Sequence, residues 1–398
     1  MSTGIEIQGI CAPEFTKVRD AFAANFKDGK EVGASFGLAI EGEIVVDLWG
    51  GFADAGRSRP WRSDTLINTY STTKGMAATV VGVLADEGLI DYNARVADYW
   101  PEFAAAGKKD VTVAQLLSHQ AGICGPRERV EMADLYDWDK LCAMLAAQWP
   151  FFEPGTANGY HAVVFGHIAG EVARRVTGRT KSLGQLFAEK VASPIGAGND
   201  YYIGLPASED HRVAEMLPVI GSEQLGTGLG GKKRMSDALY CAMAHPPLTA
   251  HIANDRAWRA AEVPGANGQG NGRGIAKVYG ALANGGTLGG TRIISAKGIA
   301  EMTREECFRK DEVIGVRMRW SRGFILNKAE LYGPNPDAFG HSGWGGSFGF
   351  ADTKARLGMG YAMNQMDTNI FGDPRGVRLI EAAYRCLPNS LEHHHHHH

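Results

Sequence analysis

Residues 71–84 read STTKGMAATVVGVL, a Ser-x-x-Lys tetrapeptide running directly into an apolar helix. Residues three apart on a helix lie one turn apart on one face, so Ser71 and Lys74 become neighbours in space. A serine hydroxyl is a weak nucleophile at neutral pH and needs a base within hydrogen-bond reach, and a lysine one turn on can be that base. Met76, Val80, Val83 and Leu84 recur with the period of a half-buried helix. A helix N-terminus here also predicts free amide N–H groups and a positive dipole end beside the Ser71 hydroxyl. By itself the tetrapeptide suits a helix cap equally well, and it gains weight only from the rest of the chain.

On either side of that helix the chain alternates in character. Phe15, Val18, Phe22 and Phe26 mark one face of a helix over 13–28. Phe36, Leu38 and Ile40, then Ile44, Val46 and Leu48, alternate across an EGE turn and predict a hairpin. From about Ala94 to Leu205 the pattern turns helical and loop-rich, including VTVAQLLSHQAGI at 111–123 and a long segment from Tyr160 to Val176. Near the end, GGSFGFAD and LGMGYAMNQ read as strands joined by DTKAR. Asp373 and Pro374 then open a last helix whose apolar face is Val377, Ile380, Tyr384 and Leu387. With strands at both ends and helices between, the expected fold is α/β. Residues 1–93 and 245–390 form one discontinuous domain, and 94–244 an inserted, mainly helical one. The LEHHHHHH ending, 391–398, is an expression tag.

Composition narrows the function. With 44% hydrophobic and 21% charged residues and a net charge of −3, the chain has the make-up of a globular protein with a large core. Its scattered Lys and Arg predict no nucleic-acid or anionic-membrane partner. The opening MSTGIEIQGICAPEF has neither a basic nor an apolar leader region, and the six cysteines form no Cys-x-x-Cys pair. Both favour a reducing cytoplasm with free thiols. His161 and His167 lack the HExxH spacing, so no metal and no cofactor are expected.

Two further motifs carry chemistry. In PGTANGYHAVVFGH, Tyr160 follows a glycine-containing turn and begins a helical run, and a phenol near a lysine ammonium can shuttle protons to a leaving group. In HSGWGG, 341–346, a glycine-rich strand edge lets a substrate carbonyl approach backbone donors. Two donors aimed at one oxygen form an oxyanion hole, worth about 3 kcal/mol each.

With STTK, LLSHQAGI, PGTANGY and GHSGWGG in this order, nearly the whole chain resembles the serine β-lactamase and penicillin-binding superfamily, and within it the family VIII carboxylesterases related to class C β-lactamases. The resemblance implies a β-lactamase-like fold, an antiparallel sheet flanked by helices. It implies Ser71 as acylated nucleophile, Lys74 as its base, and Tyr160 as proton exchanger coupled to Lys74. It also implies an oxyanion hole from the N–H groups of Ser71 and Trp344, and substrate contacts from His341, Ser342, Gly343 and Trp344.

Two departures shape the expected substrate. The Lys-Thr-Gly of β-lactamases is His341-Ser342-Gly343 here, and a largely neutral imidazole replaces the ammonium that holds a β-lactam carboxylate. The class C Tyr-x-Asn is Tyr160-His161-Ala162, without the amide. The expected activity is therefore hydrolysis of short- to medium-chain carboxylic esters, with a small-molecule ester as partner and no statement on oligomeric state. Acyl transfer to an alcohol acceptor and weak cephalosporin hydrolysis are the alternatives, and a non-catalytic binding protein is a third. Two GxSxG pentapeptides, around Ser35 and Ser347, lack the strand–turn–helix context of a nucleophile elbow. GQGNGRG lacks the strand that precedes a dinucleotide fingerprint and reads as a loop beside the pocket. His119 reads as the anchor of a helix–loop junction, and Trp344 as a pocket wall.

Overall fold

The computed structural model describes residues 4–221 and 235–388, so the 391–398 tag lies outside the described residues. Its central element is a nine-stranded sheet whose neighbours are all antiparallel. In spatial order the strands are Gln8–Cys11, Glu43–Gly51, Gly33–Ile40, Leu357–Met363, Phe348–Asp352, Phe339–Ser342, Ile325–Leu326, Arg317–Trp320 and Cys307–Lys310. The two ends of the chain meet where Leu357–Met363 pairs with Gly33–Ile40, with Met359 opposite Leu38 and Tyr361 opposite Phe36. The expected hairpin turns on Glu41 and Gly42, both at positive φ (51° and 80°), the geometry of a two-residue turn that follows the twist of its strands.

The Gly272–Ala283 helix lies on the sheet unusually closely, and glycine explains it. A Cβ on Gly358 would meet Gly280 N at 2.2 Å, and one on Gly360 would meet Gly272 O at 2.6 Å. The helices Thr16–Lys27 and Pro374–Arg385 pack against each other. Among the described residues, no helix is long and apolar enough to cross a membrane.

Three expectations from periodicity are corrected. The helix after Ser71, Thr72–Asp86, is buried on every face from Thr72 to Leu84, not on half of its surface. It runs between the sheet strand Phe339–Ser342 and the helices Phe165–Val176 and Ala296–Met302, and small residues let these neighbours close in. A Cβ on Gly75 would meet Tyr279 Oη at 2.1 Å. Tyr160 does not begin a helix. The helix starts at Phe165, and Tyr160 sits in the irregular stretch before it. The last helix buries Arg375, Gly376, Leu379, Ile380, Ala382 and Ala383, while Val377 is 37% exposed.

Arg375 sets that rotation. It bonds Glu31 Oε1 at 2.6 Å and Asp373 Oδ2 at 2.9 Å, and donates to the carbonyls of Lys30, Gly345 and Gln365. All three charged side chains are buried. Burial drives the Glu31 carboxyl upward, against the pull of the Arg375 guanidinium. Removing one member of a buried ion cluster strands the others, at about 3–5 kcal/mol. Arg375→Met is therefore expected to lower unfolding free energy by roughly that amount, read from the denaturant midpoint. A midpoint shift equivalent to under about 1 kcal/mol, the scale of an exposed pair, would contradict it.

Candidate active site

Tyr70, immediately before the serine, is a non-glycine residue at φ 45°, and such local strain concentrates at functional turns. It swings Ser71 into position at the end of the Thr72–Asp86 helix, with the serine half-buried. The expected row of free helix amides is reduced by this turn. The amides of Thr72, Thr73 and Lys74 donate to the carbonyls of Thr69, Tyr70 and Ser71. Among the described residues, the amides of Ser71 and Trp344 donate to no protein group. The Trp344 ring meets the Tyr70 ring edge-on, centroids 5.2 Å apart, so the two segments carrying those free amides are adjacent.

Close approach of the two segments depends on Gly343, where a Cβ would sit 2.3 Å from Thr69 O. Ser347 braces the same junction, its hydroxyl 2.9 Å from Thr69 O and 3.0 Å from Thr72 Oγ1. Ser35 sits inside a sheet strand and accepts the Gly272 N–H at 2.9 Å. Neither GxSxG serine occupies a strand–turn–helix elbow. GQGNGRG is not a pocket loop either. Gln269–Gly270 is a strand between Ile67–Asn68 and Tyr201–Tyr202, Asn271 caps the following helix, and Arg273 pairs with Asp47 and Asp200.

Lys74 Nζ is fully buried and has three hydrogen-bond partners: Ser71 Oγ at 2.8 Å, Ala162 O at 2.5 Å and Gly265 O at 2.8 Å. Burial pushes its ammonium far below the ordinary lysine range. A neutral amine has two N–H bonds and one lone pair. Two carbonyls take the hydrogens, which leaves the lone pair for the Ser71 hydroxyl proton.

Tyr160 lies with its ring centroid 4.7 Å from Lys74 Nζ. Burial raises its pKa, with Ser71 pulling the other way, so the phenol keeps its proton. The Tyr160 hydroxyl is buried and completes no well-aligned hydrogen bond.

His341 stacks on Tyr160 at 25°, centroids 6.2 Å apart, and burial lowers its pKa to about 3. It is neutral, as the sequence predicts. Ser342 points away from Tyr160, its hydroxyl bonded to Tyr332 Oη at 2.7 Å, since successive strand residues face opposite sides. Ser342 therefore offers this side only its backbone. His161 is buried and neutral too, with a pKa near 3. His167 stacks on Trp138 in the core. Among the described residues, no group of His, Cys, Asp or Glu is arranged to hold a metal ion.

The sequence reading missed several participants. The carbonyls of Ala162 and Gly265 are backbone groups and leave no mark in a residue pattern. Asp311 is buried and accepts the amides of Tyr160, Val313 and Ile314 through one oxygen, yet it lies 151 residues from Tyr160. Trp320, stacked on Tyr160 at 11°, is equally remote in sequence.

A family model described as Beta-lactamase matches residues 18–384. The esterase/beta-lactamase LipL of Mycobacterium tuberculosis (strain ATCC 25618 / H37Rv) is 34% identical over 367 residues, spanning 91% of this chain and 84% of that protein. Among solved structures, a family VIII carboxylesterase is 96% identical with a TM-score of 0.92, over 96% of this chain and 100% of its own. A penicillin-binding protein homologue from Caulobacter crescentus is 45% identical with a TM-score of 0.89, over 96% of this chain and 100% of its own.

Proposed function

We propose, for a chain that belongs to the beta-lactamase family, that Ser71, Lys74 and Tyr160 form the catalytic unit of a serine carboxylesterase. The esterase activity follows from the family VIII carboxylesterase that shares 96% of its residues. The observation that carries the residue assignment is the Lys74 amine, with two carbonyls on its hydrogens and Ser71 Oγ at 2.8 Å.

Ser71 Oγ attacks the ester carbonyl carbon while its proton passes to the Lys74 lone pair. The carbonyl electrons move onto the oxygen, which the Ser71 and Trp344 amides hold. As the C–O bond to the alcohol breaks, the Tyr160 hydroxyl gives that oxygen a proton and recovers one from Lys74. Water then attacks the acyl-serine along the reverse proton path, releasing the acid and free Ser71.

Short- to medium-chain esters are the proposed substrates, with His341, Gly343 and Trp344 beside the acyl group. A neutral His341 offers no fixed cation to a β-lactam carboxylate, which supports esters over cephalosporins. We take 94–244 as an inserted helical domain that brings Tyr160 and Ala162 to a nucleophile carried by the α/β part. Six unpaired cysteines suit a cytoplasmic setting.

The test is to quench the reaction with p-nitrophenyl butyrate in acid, digest the protein and map the butyryl adduct by mass. The adduct is expected on the peptide containing Ser71. An adduct on the Ser347 or Ser35 peptide overturns the assignment.

A further inference from the structure

The loop that carries Tyr160 has no regular structure of its own, yet its three consecutive amides are all taken by remote groups. The Gly159 N–H donates to His119 O at 2.9 Å, and the His161 N–H donates to His119 Nδ1 at 2.9 Å. Between them, the Tyr160 N–H donates to Asp311 Oδ1 at 3.0 Å. His119 thus grips the loop on both sides of the tyrosine. It does so from a backbone at φ 63°, a conformation that non-glycine residues rarely adopt. Its ring also touches the phenol, with centroids 5.1 Å apart, and leans on Trp320 at 4.3 Å, the residue stacked on the other ring.

We infer that His119 is a positioning residue for the proton donor Tyr160, acting as a neutral imidazole whose Nδ1 lone pair fixes the 159–161 backbone. An imidazolium has no lone pair to accept the His161 amide, so the grip requires the neutral Nε2–H tautomer. Burial presses His119 toward that neutral form. The inference rests on the reading of Tyr160 as acid to the departing alcohol.

The chemistry separates positioning from general stability. An ethoxide leaving group needs a proton far more than p-nitrophenolate does, so a displaced Tyr160 slows alkyl esters selectively. Asn and Gly both tolerate a left-handed backbone, and only Asn places an acceptor where Nδ1 stands. The experiment compares kcat and KM for ethyl butyrate and p-nitrophenyl butyrate in the natural chain, His119→Gly, His119→Asn and Tyr160→Phe. Each variant is scored by the ratio of its two activities in one preparation, which cancels any loss of folded protein. His119→Gly is expected to lose about tenfold or more extra kcat on the ethyl ester with KM within about twofold, short of the roughly 10²–10⁴-fold a general acid contributes because the phenol is displaced and not removed. His119→Asn should restore most of the ratio. A selective loss in Tyr160→Phe with an unchanged ratio in His119→Gly overturns the inference and leaves Tyr160 in place. Equal ratios in His119→Gly and His119→Asn also overturn it. An unchanged ratio in Tyr160→Phe overturns the acid role of Tyr160 itself.

Discussion

Ser71→Ala is expected to lower kcat for p-nitrophenyl butyrate by at least about 10⁴-fold, the scale on which removing the nucleophile of an acyl-enzyme mechanism acts. The geometry isolates the chemical effect. Ser71 Oγ lies 2.8 Å from Lys74 Nζ, and Lys74 keeps its two carbonyl partners when the hydroxyl is gone. The variant should therefore melt close to the natural protein while losing the burst of p-nitrophenol in stopped flow. Turnover above a few per cent would move the nucleophile elsewhere. Ser347 would be the next residue to test, although its hydroxyl is already engaged by Thr69 and Thr72.

Lys74→Met should cost about 10³-fold in kcat, within the range removal of a general base produces. Met fills similar volume without a lone pair, and leaves the Ala162 and Gly265 carbonyls without their shared donor. The pH profile distinguishes a base from a structural lysine. In the proposed mechanism Lys74 works as a free amine, and burial depresses its pKa. As pH falls through that depressed value the amine takes a proton, the lone pair disappears, and kcat/KM must fall. Burial pushes His161 and His341 down to about 3, far from the ordinary histidine range. The residual activity of Lys74→Met should lack that acid limb. Lys74→Arg, which stays charged at every working pH, should be inactive throughout. An acid limb that survives unchanged in Lys74→Met would assign the titration to another group.

Local chemistry carried much of the reading. The hairpin was legible because Glu41-Gly42 separates two alternating runs, and the last helix because Asp373-Pro374 is a start signal. Periodicity misled in three places. It reports a contrast between a wet and a dry face, and the Thr72–Asp86 helix has no wet face. In the last helix, a buried Arg375 set the orientation against the apolar count. Tyr160 was placed on a helix because the helical pattern downstream begins close by. The stretch is held instead by His119 and Asp311, which no local pattern includes.

The amino-acid sequence by itself determined the proximity of Ser71 and Lys74, the proposed nucleophile and base, because they are one helical turn apart and any helix brings them together. It also determined the family, through the order of several motifs. Tertiary structure alone decided the pKa shifts. Burial lowers the pKa of Lys74 and raises that of Tyr160 because each is enclosed by groups from distant parts of the chain. Those groups include the carbonyls of Ala162 and Gly265 and the rings of His119, Trp320 and His341. Desolvation depends on everything that surrounds a group, and that enclosure exists only once the chain has folded.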